Sequence, residues 1–200
     1  MAVRWQLPAA DPSIALRPYE ERLATLESPR HRTMLQTLID HVRTVLLCDI
    51  DGVMRTMSAE PEFATWSAKG DLGRKGSDAV RAGYAGAFAK PGGPITNQVN
   101  SIERFVIDDR TIALELVETR IWPAAKAKEQ GYAVPEEEGC YAVRRRCAVL
   151  IPYDDQGLIQ GEINYGFGWP ADPQDFERVE EAELSPEYLD WLRNAGRDEE

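Results

Sequence analysis

From Arg30 to Cys48 the apolar residues Met34, Leu35, Leu38, Val42, Val45 and Leu46 return every three or four positions, the spacing of one helical face. Pro29 stands where a first helical turn tolerates a missing N–H, so the pattern predicts a long first helix. Met54 and Met57 add a turn or two before Pro61, whose ring opposes continuation. After Gly76, with Ser77 or Asp78 as cap, Val80, Tyr84, Ala87 and Phe88 share a stripe and predict a second helix, ended by Lys90-Pro-Gly-Gly-Pro. Beyond Ile95 the period changes to two. Strands are predicted over 95–107 and 111–121 around Asp108-Asp109-Arg110, then over 140–151 and 158–167 around the turn from Pro152 to Gly157. Pro123, Gly131, Pro135 and Gly139 make 122–139 a loop or bent excursion.

The ends differ from the middle. Residues 1–29 hold Pro8, Pro12, Pro18 and Pro29 and only a weak helical patch near Leu23 and Leu26, which predicts an arm that packs on a neighbour. After Trp169 the chain is acidic, with a short amphipathic helix expected from Ser185 to Leu192. The expected organisation is therefore an arm (1–29), one domain (30–168) and a tail (169–200). Helix, helix, then a four-strand meander implies an α+β fold with helices on one face of a curved antiparallel sheet.

Composition narrows the class. A chain of 200 residues with 43% hydrophobic content can bury one ordinary core. A net charge of -11 opposes nucleic-acid binding, and the basic run Arg144-Arg145-Arg146 lies inside an alternating segment that reads as strand. Cys48, Cys140 and Cys147 have no metal-ligand spacing and form no even disulfide set, so reduced thiols are expected. No leader pattern and no run of about 18 apolar residues occurs, which predicts a cytoplasmic protein with no membrane partner.

Two polar residues interrupt apolar faces, and three more stand as weaker candidates. Successive helical residues turn by about 100°, so His41 falls within about 20° of Met34, inside the stripe of Leu38, Val45 and Cys48. It is either a core histidine held by one hydrogen bond or a titratable imidazole in an apolar cavity. Arg145 interrupts the face formed by Tyr141, Val143, Cys147, Val149 and Ile151, as a structural ion pair or as a fixed cation for a developing anion. In the last strand Glu162 and Asn164 alternate with Ile159, Gly161, Ile163 and Tyr165, so period two alone puts them in water unless that face lines a cavity. Glu115, with Ala113 and Val117, is a similar candidate. Asp49 and Asp51 most simply fit a helix end and an Asp-Gly turn; as a magnesium site, two carboxylates at this spacing without further ligands are a weak signal.

The order Asp49-Ile-Asp51-Gly52-Val-Met, Lys75-Gly76 with Ala79, Val80 and Tyr84, Phe105-Val-Ile-Asp108-Asp109 before Ala113-Leu-Glu115, and Gly157-Leu-Ile-x-Gly-Glu162-x-x-Tyr165 resembles the nuclear-transport-factor-two-like superfamily, in its SnoaL-like and ketosteroid-isomerase-like branch. The resemblance spans roughly two thirds of the chain, from Arg30 to Phe167. It implies a cone-shaped sheet around a deep apolar pocket, cofactor-free acid-base chemistry in the enzymes, and association into homodimers or larger homo-oligomers. By the same resemblance His41 occupies the place of the ketosteroid isomerases' oxyanion-hole tyrosine, while Thr65 or Trp66 stands where their catalytic aspartate would be. The second oxyanion-hole acid would fall near Val149, and Glu162 and Asn164 match pocket-lining positions. Nor is the epoxide hydrolases' arginine between two aspartates reproduced. The reading that follows is a lyase or dehydratase needing neither cofactor nor metal, acting on a hydrophobic, aromatic hydroxylated molecule. His41 and Glu162 share proton transfer, Arg145 holds an oxyanion, and Trp66, Tyr84, Phe88, Asn164 and Glu115 line the site. A non-catalytic ligand- or protein-binding module of the same fold, or an isomerase, cyclase or epoxide hydrolase, is the alternative.

Overall fold

The computed structural model describes residues 2–67, 70–89, 97–136, 138–166 and 176–194. In chain order the elements are α1 (Ser13–Ala24), α2 (Pro29–Leu46), α3 (Ile50–Arg55), β1 (Ala64–Ser67), β2 (Gly70–Asp71), α4 (Ser77–Phe88), β3 (Gln98–Ile107) and β4 (Thr111–Pro123). Then come α5 (Ala124–Glu129), β5 (Cys140–Pro152), β6 (Ile163–Gly166), β7 (Phe176–Val179), a 3-10 turn (Glu181–Glu183) and α6 (Pro186–Asn194).

The α2 helix forms where its stripe and caps demand. Ser28 Oγ accepts from the His31 N–H at 3.4 Å, Pro29 opens the first turn, and Met34, Leu35, Leu38, Ile39 and Val45 are buried. The chain leaves α2 through Cys48 in the left-handed region (φ 54), and the Asp49 carboxylate caps α3 by accepting from the Gly52 N–H at 2.8 Å. Asp51-Gly52, expected as a turn, thus lies inside a helix. Asp49 and Asp51 pair with Arg55 at 3.5 Å and Arg81 at 2.9 Å. The segment expected as an outlying arm is instead part of the core, because Leu16 and Tyr19 of α1 are buried with Met34 and Leu38.

The sheet has seven strands in the order β2-β1-β6-β5-β4-β3, with β7 beside β5. Its pairs are antiparallel, as expected, except that β1 and β6 run parallel. The hairpin turn between β3 and β4 stands where the sequence placed it, held by the Asp108 carboxylate accepting the N–H groups of Arg110 and Thr111 at 2.7 and 2.8 Å. The excursion after β4 contains α5, and the expected last strand is ordered over β6, its Phe167 end lying outside the described residues.

Directly opposed residues in a sheet share a face. Ile112, Leu114 and Leu116 of β4 face Ile151, Val149 and Cys147 of β5, and together they pack under the helices. Farther along the same inner face, Trp122, Tyr141 and Val143 form a second cluster with Ala124, Ala127, Tyr132 and Val134. On the outer face, α6 and the segment at Trp5 and Leu7 cover Ile121, Ala142 and Val179. Part of the expected outlying tail is therefore structural too, and Tyr188 donates its hydroxyl to the Asn97 carbonyl at 2.8 Å. Because α1 closes the core, the Leu16→Ala protein is expected to lose about 2–5 kcal/mol in urea unfolding, whereas a disposable arm would leave the midpoint unmoved.

Candidate functional site in the concave face

Between the two inner clusters the apolar surface is broken by polar side chains, and the break begins at His41. The ring lies in the α2 stripe and is 6% exposed. Its Nδ1 is 2.8 Å from Thr56 Oγ1, and its Nε2 is 3.1 Å from the Tyr84 hydroxyl. Thr56 already donates its proton to the Val53 carbonyl at 2.6 Å, so its oxygen can only accept from Nδ1–H. That leaves Nε2 as an acceptor, and Tyr84 donates to it. Burial lowers the His41 pKa to about 4, which keeps the imidazole neutral at neutral pH. Tyr84 is pushed well above the ordinary phenol range by burial and by the charge of Glu162. Its ring lies 6.3 Å from that of Phe63 and 5.7 Å from that of Phe88, so the two aromatics flank the phenol.

Glu162 enters from the position just before β6. Asn164 stands opposite Val149, a core residue, so period two turns both Asn164 and Glu162 toward the concave face. The backbone here is clamped: Glu62 and Ala64 donate N–H bonds to Gln160 and Glu162 at 2.8 Å, and a Cβ at Gly161 would lie 1.9 Å from the Glu62 oxygen. Only glycine permits that approach. Burial raises the Glu162 pKa, the Asn164 amide, donating at 2.6 Å, lowers it, and the charge of Glu118 raises it again.

Arg145 faces inward beside Glu118, to which its Nε donates at 2.9 Å and its Nη2 also bonds. Arg120, next on the same face of β4, lies 3.8 Å from the same carboxylate. The side chain of Glu118 is 12% exposed and carries two guanidinium partners. Glu118, Arg120, Arg145, Trp122, Gln130 and Tyr132 surround a cavity of about 80 Å³. Cys147, near these charges, is pushed up to about 12, chiefly by burial, so it carries no thiolate at neutral pH.

The structure brings His41, Tyr84, Phe88, Glu162, Asn164 and Arg145 to the concave side, but it corrects three expectations. No hydrogen bond joins His41 to Glu162 among the described residues; the Tyr84 hydroxyl takes the imidazole, so Tyr84 is a polar participant and not only a wall. Glu115 lies on the outer face, paired with Arg104 and with Arg146 at 2.8 Å, because Ala113, Glu115 and Val117 have the opposite parity from Leu114 and Leu116. Trp66, beside Tyr165 and opposite in parity to Thr65 and Asn164, is 46% exposed and is not on the concave side. Glu118 and Arg120 went unread, although Ile112, Leu114, Leu116 and Trp122 already marked their parity as the inner one. Among the described residues no cluster of three or more His, Cys, Asp or Glu side chains offers a metal site, and no helix is long and apolar enough to cross a membrane.

The low pKa of His41 has a sign in stability. Between pH 6.5 and about 4 the unfolded chain binds a proton that the folded chain refuses, so stability falls as pH drops through this window and the loss saturates below it. At about 1.4 kcal/mol per pKa unit the loss is on the order of 3 kcal/mol. Glu162 works in the opposite direction, since its raised pKa makes the folded state the stronger proton binder. Urea unfolding at a series of pH values is therefore expected to show a smaller loss on acidification for His41→Asn than for the unaltered protein; parallel curves would refute a buried neutral imidazole.

No protein-family model and no curated protein matches the sequence. Solved structures do match. A candidate SnoaL-like polyketide cyclase from Shewanella putrefaciens CN-32 aligns with a TM-score of 0.55 at 10% identity over 74% of this chain and 87% of its own. One from Shewanella denitrificans OS-217 aligns at 0.50 and 10%, over 71% and 92%. An NTF2-like protein of unknown function from Mesorhizobium loti aligns at 0.48 and 14%, over 72% and 98%. At such identity the two Shewanella structures speak for architecture alone. The chain has the α+β fold of these SnoaL-like structures, a curved sheet packed against helices.

Proposed function

We propose that this protein is a cofactor-independent acid-base enzyme of the lyase or dehydratase type, acting on a hydrophobic, aromatic molecule that carries a hydroxyl group. The observation that carries this reading is the Tyr84–His41–Thr56 chain. A pocket that only holds a ligand has no use for two titratable groups in hydrogen-bond contact with the imidazole tautomer set by a third.

The roles follow from the donor count. With its proton committed to His41 Nε2, the Tyr84 oxygen accepts from a substrate hydroxyl, and the proton moves through the phenol onto the imidazole. The imidazolium so formed keeps its Nδ1–H bond to Thr56, while burial makes this charge transient and returns the proton at the end of turnover. Glu162, with its raised pKa, is the acid at the other end: it protonates either a departing hydroxyl or the carbon left when an aldehyde is expelled. Phe63 and Phe88 supply the apolar surface for an aromatic ring beside the phenol. Groups of this kind contribute about 10²- to 10⁴-fold each.

The test is an assay of purified protein against a panel of aromatic diols and hydroxyketones, followed by mass spectrometry. His41→Ala, Tyr84→Phe and Glu162→Gln are each expected to reduce kcat by about 10²- to 10⁴-fold with little change in KM. Activity should fall below pH values near 4 as His41 protonates, and fall again at higher pH as Glu162 ionises above its raised pKa. Full activity in the His41→Ala protein would remove the relay from the mechanism.

A further inference from the structure

The cavity at the far end of the concave face has a charge balance that a structural ion pair does not require. One carboxylate, Glu118, stands against two guanidiniums, Arg120 and Arg145, which leaves one positive charge in excess. Arg145 spends Nε and Nη2 on Glu118, and Arg120 spends Nη2 on the Gln98 amide oxygen at 2.6 Å. Arg120 Nε is sealed from solvent and has no hydrogen-bond acceptor among the described residues. An orphaned buried donor costs about 1–3 kcal/mol, more when it is charged, so an acceptor belongs beside it. The guanidinium also lies over the Trp122 ring, 5.8 Å from its centroid, and Trp122 meets Tyr132 edge to face at 5.9 Å. Flat aromatic surface and an uncompensated cation therefore line one space. At about 80 Å³ it is several times what a single water needs and suits a small planar end group.

We propose that this cavity is a carboxylate subsite, in which Arg120 and Arg145 hold an anionic group carried on an aromatic ring, and Trp122 and Tyr132 pack against that ring. The assignment rests on the concave face being a substrate pocket, and it narrows the substrate class to aromatic acids. Glu118 serves as a positioning residue that fixes the Arg145 fork; its charge is cancelled by the same arginine. Its Coulombic coupling to Glu162 joins this subsite to the proton-transfer end of the pocket.

Calorimetric titration with benzoate tests the assignment without turnover. Benzoate is expected to bind, with benzamide, its neutral counterpart, at least about tenfold weaker. Arg120→Met should weaken benzoate by at least about tenfold and leave benzamide unchanged, and Arg145→Met provides the same reading if the first variant does not fold. His41→Ala should bind benzoate like the unaltered protein, so a failure of the acid-base relay and a failure of the subsite give different results. The assignment is overturned by equal binding of benzoate and benzamide, by no benzoate binding in the unaltered protein, by benzoate affinity that both arginine substitutions leave intact, or by binding lost in His41→Ala and kept in Arg120→Met.

Discussion

The long antiparallel pairing of β4 with β5 is the constraint on which the rest depends. It runs without a break from Thr111 opposite Pro152 to Pro123 opposite Cys140. Side chains alternate with period two, so a slip of one residue would exchange the faces of one strand relative to the other. The observed register sets Leu114 against Val149, Leu116 against Cys147 and Glu118 against Arg145, so apolar meets apolar and charge meets charge on one surface. The outer face is matched as well, with Val117 opposite Arg146 and Thr119 opposite Arg144, where those arginines reach Glu115, Glu103 and Glu177.

A second constraint is desolvation. The concave face gathers a histidine, phenols, two carboxyls and two guanidiniums among apolar side chains, and those that are buried would be costly alone. Most of their polar atoms, though not Arg120 Nε, satisfy one another. His41 has Thr56 and Tyr84, Glu162 has Asn164, and Glu118 has Arg145 and Arg120. The same burial moves their protonation equilibria, lowering His41 and raising Tyr84 and Glu162, so the forces that make the site expensive also set which of its groups carry charge.

Much of this was legible in the sequence. The α2 stripe placed His41 inward before any fold was known, and the alternation of Tyr141, Val143, Cys147 and Val149 did the same for Arg145. The hairpin at Asp108 and the terminal helix after Ser185 stand where their turn and cap residues put them. Other features were illegible for physical reasons. In β4 Ala113, Val117 and Ile121 make the outer face partly apolar as well, since α6 covers Ile121, and this obscured the stronger inner parity that Glu118 shares with Leu114 and Leu116. Pro12 and Pro18 made the first residues look like an arm, yet α1 accommodates Pro18 and places Leu16 and Tyr19 in the core.

By itself the sequence determined which residues share a face, because helical and strand periods are properties of the local backbone. It also determined where turns fall and that β4 is followed by an interruption, since Pro and Gly restrict their own dihedrals. Which face became concave, and that Glu162 joined it against the apparent period of its strand, was decided only in the tertiary structure. There the parallel clamp of β1 on β6, closed around Gly161, turns a polar row inward. Likewise only the tertiary placement of α4 brought the Tyr84 hydroxyl to the imidazole of His41. That contact joins residues 43 positions apart, and no local rule of periodicity reaches so far.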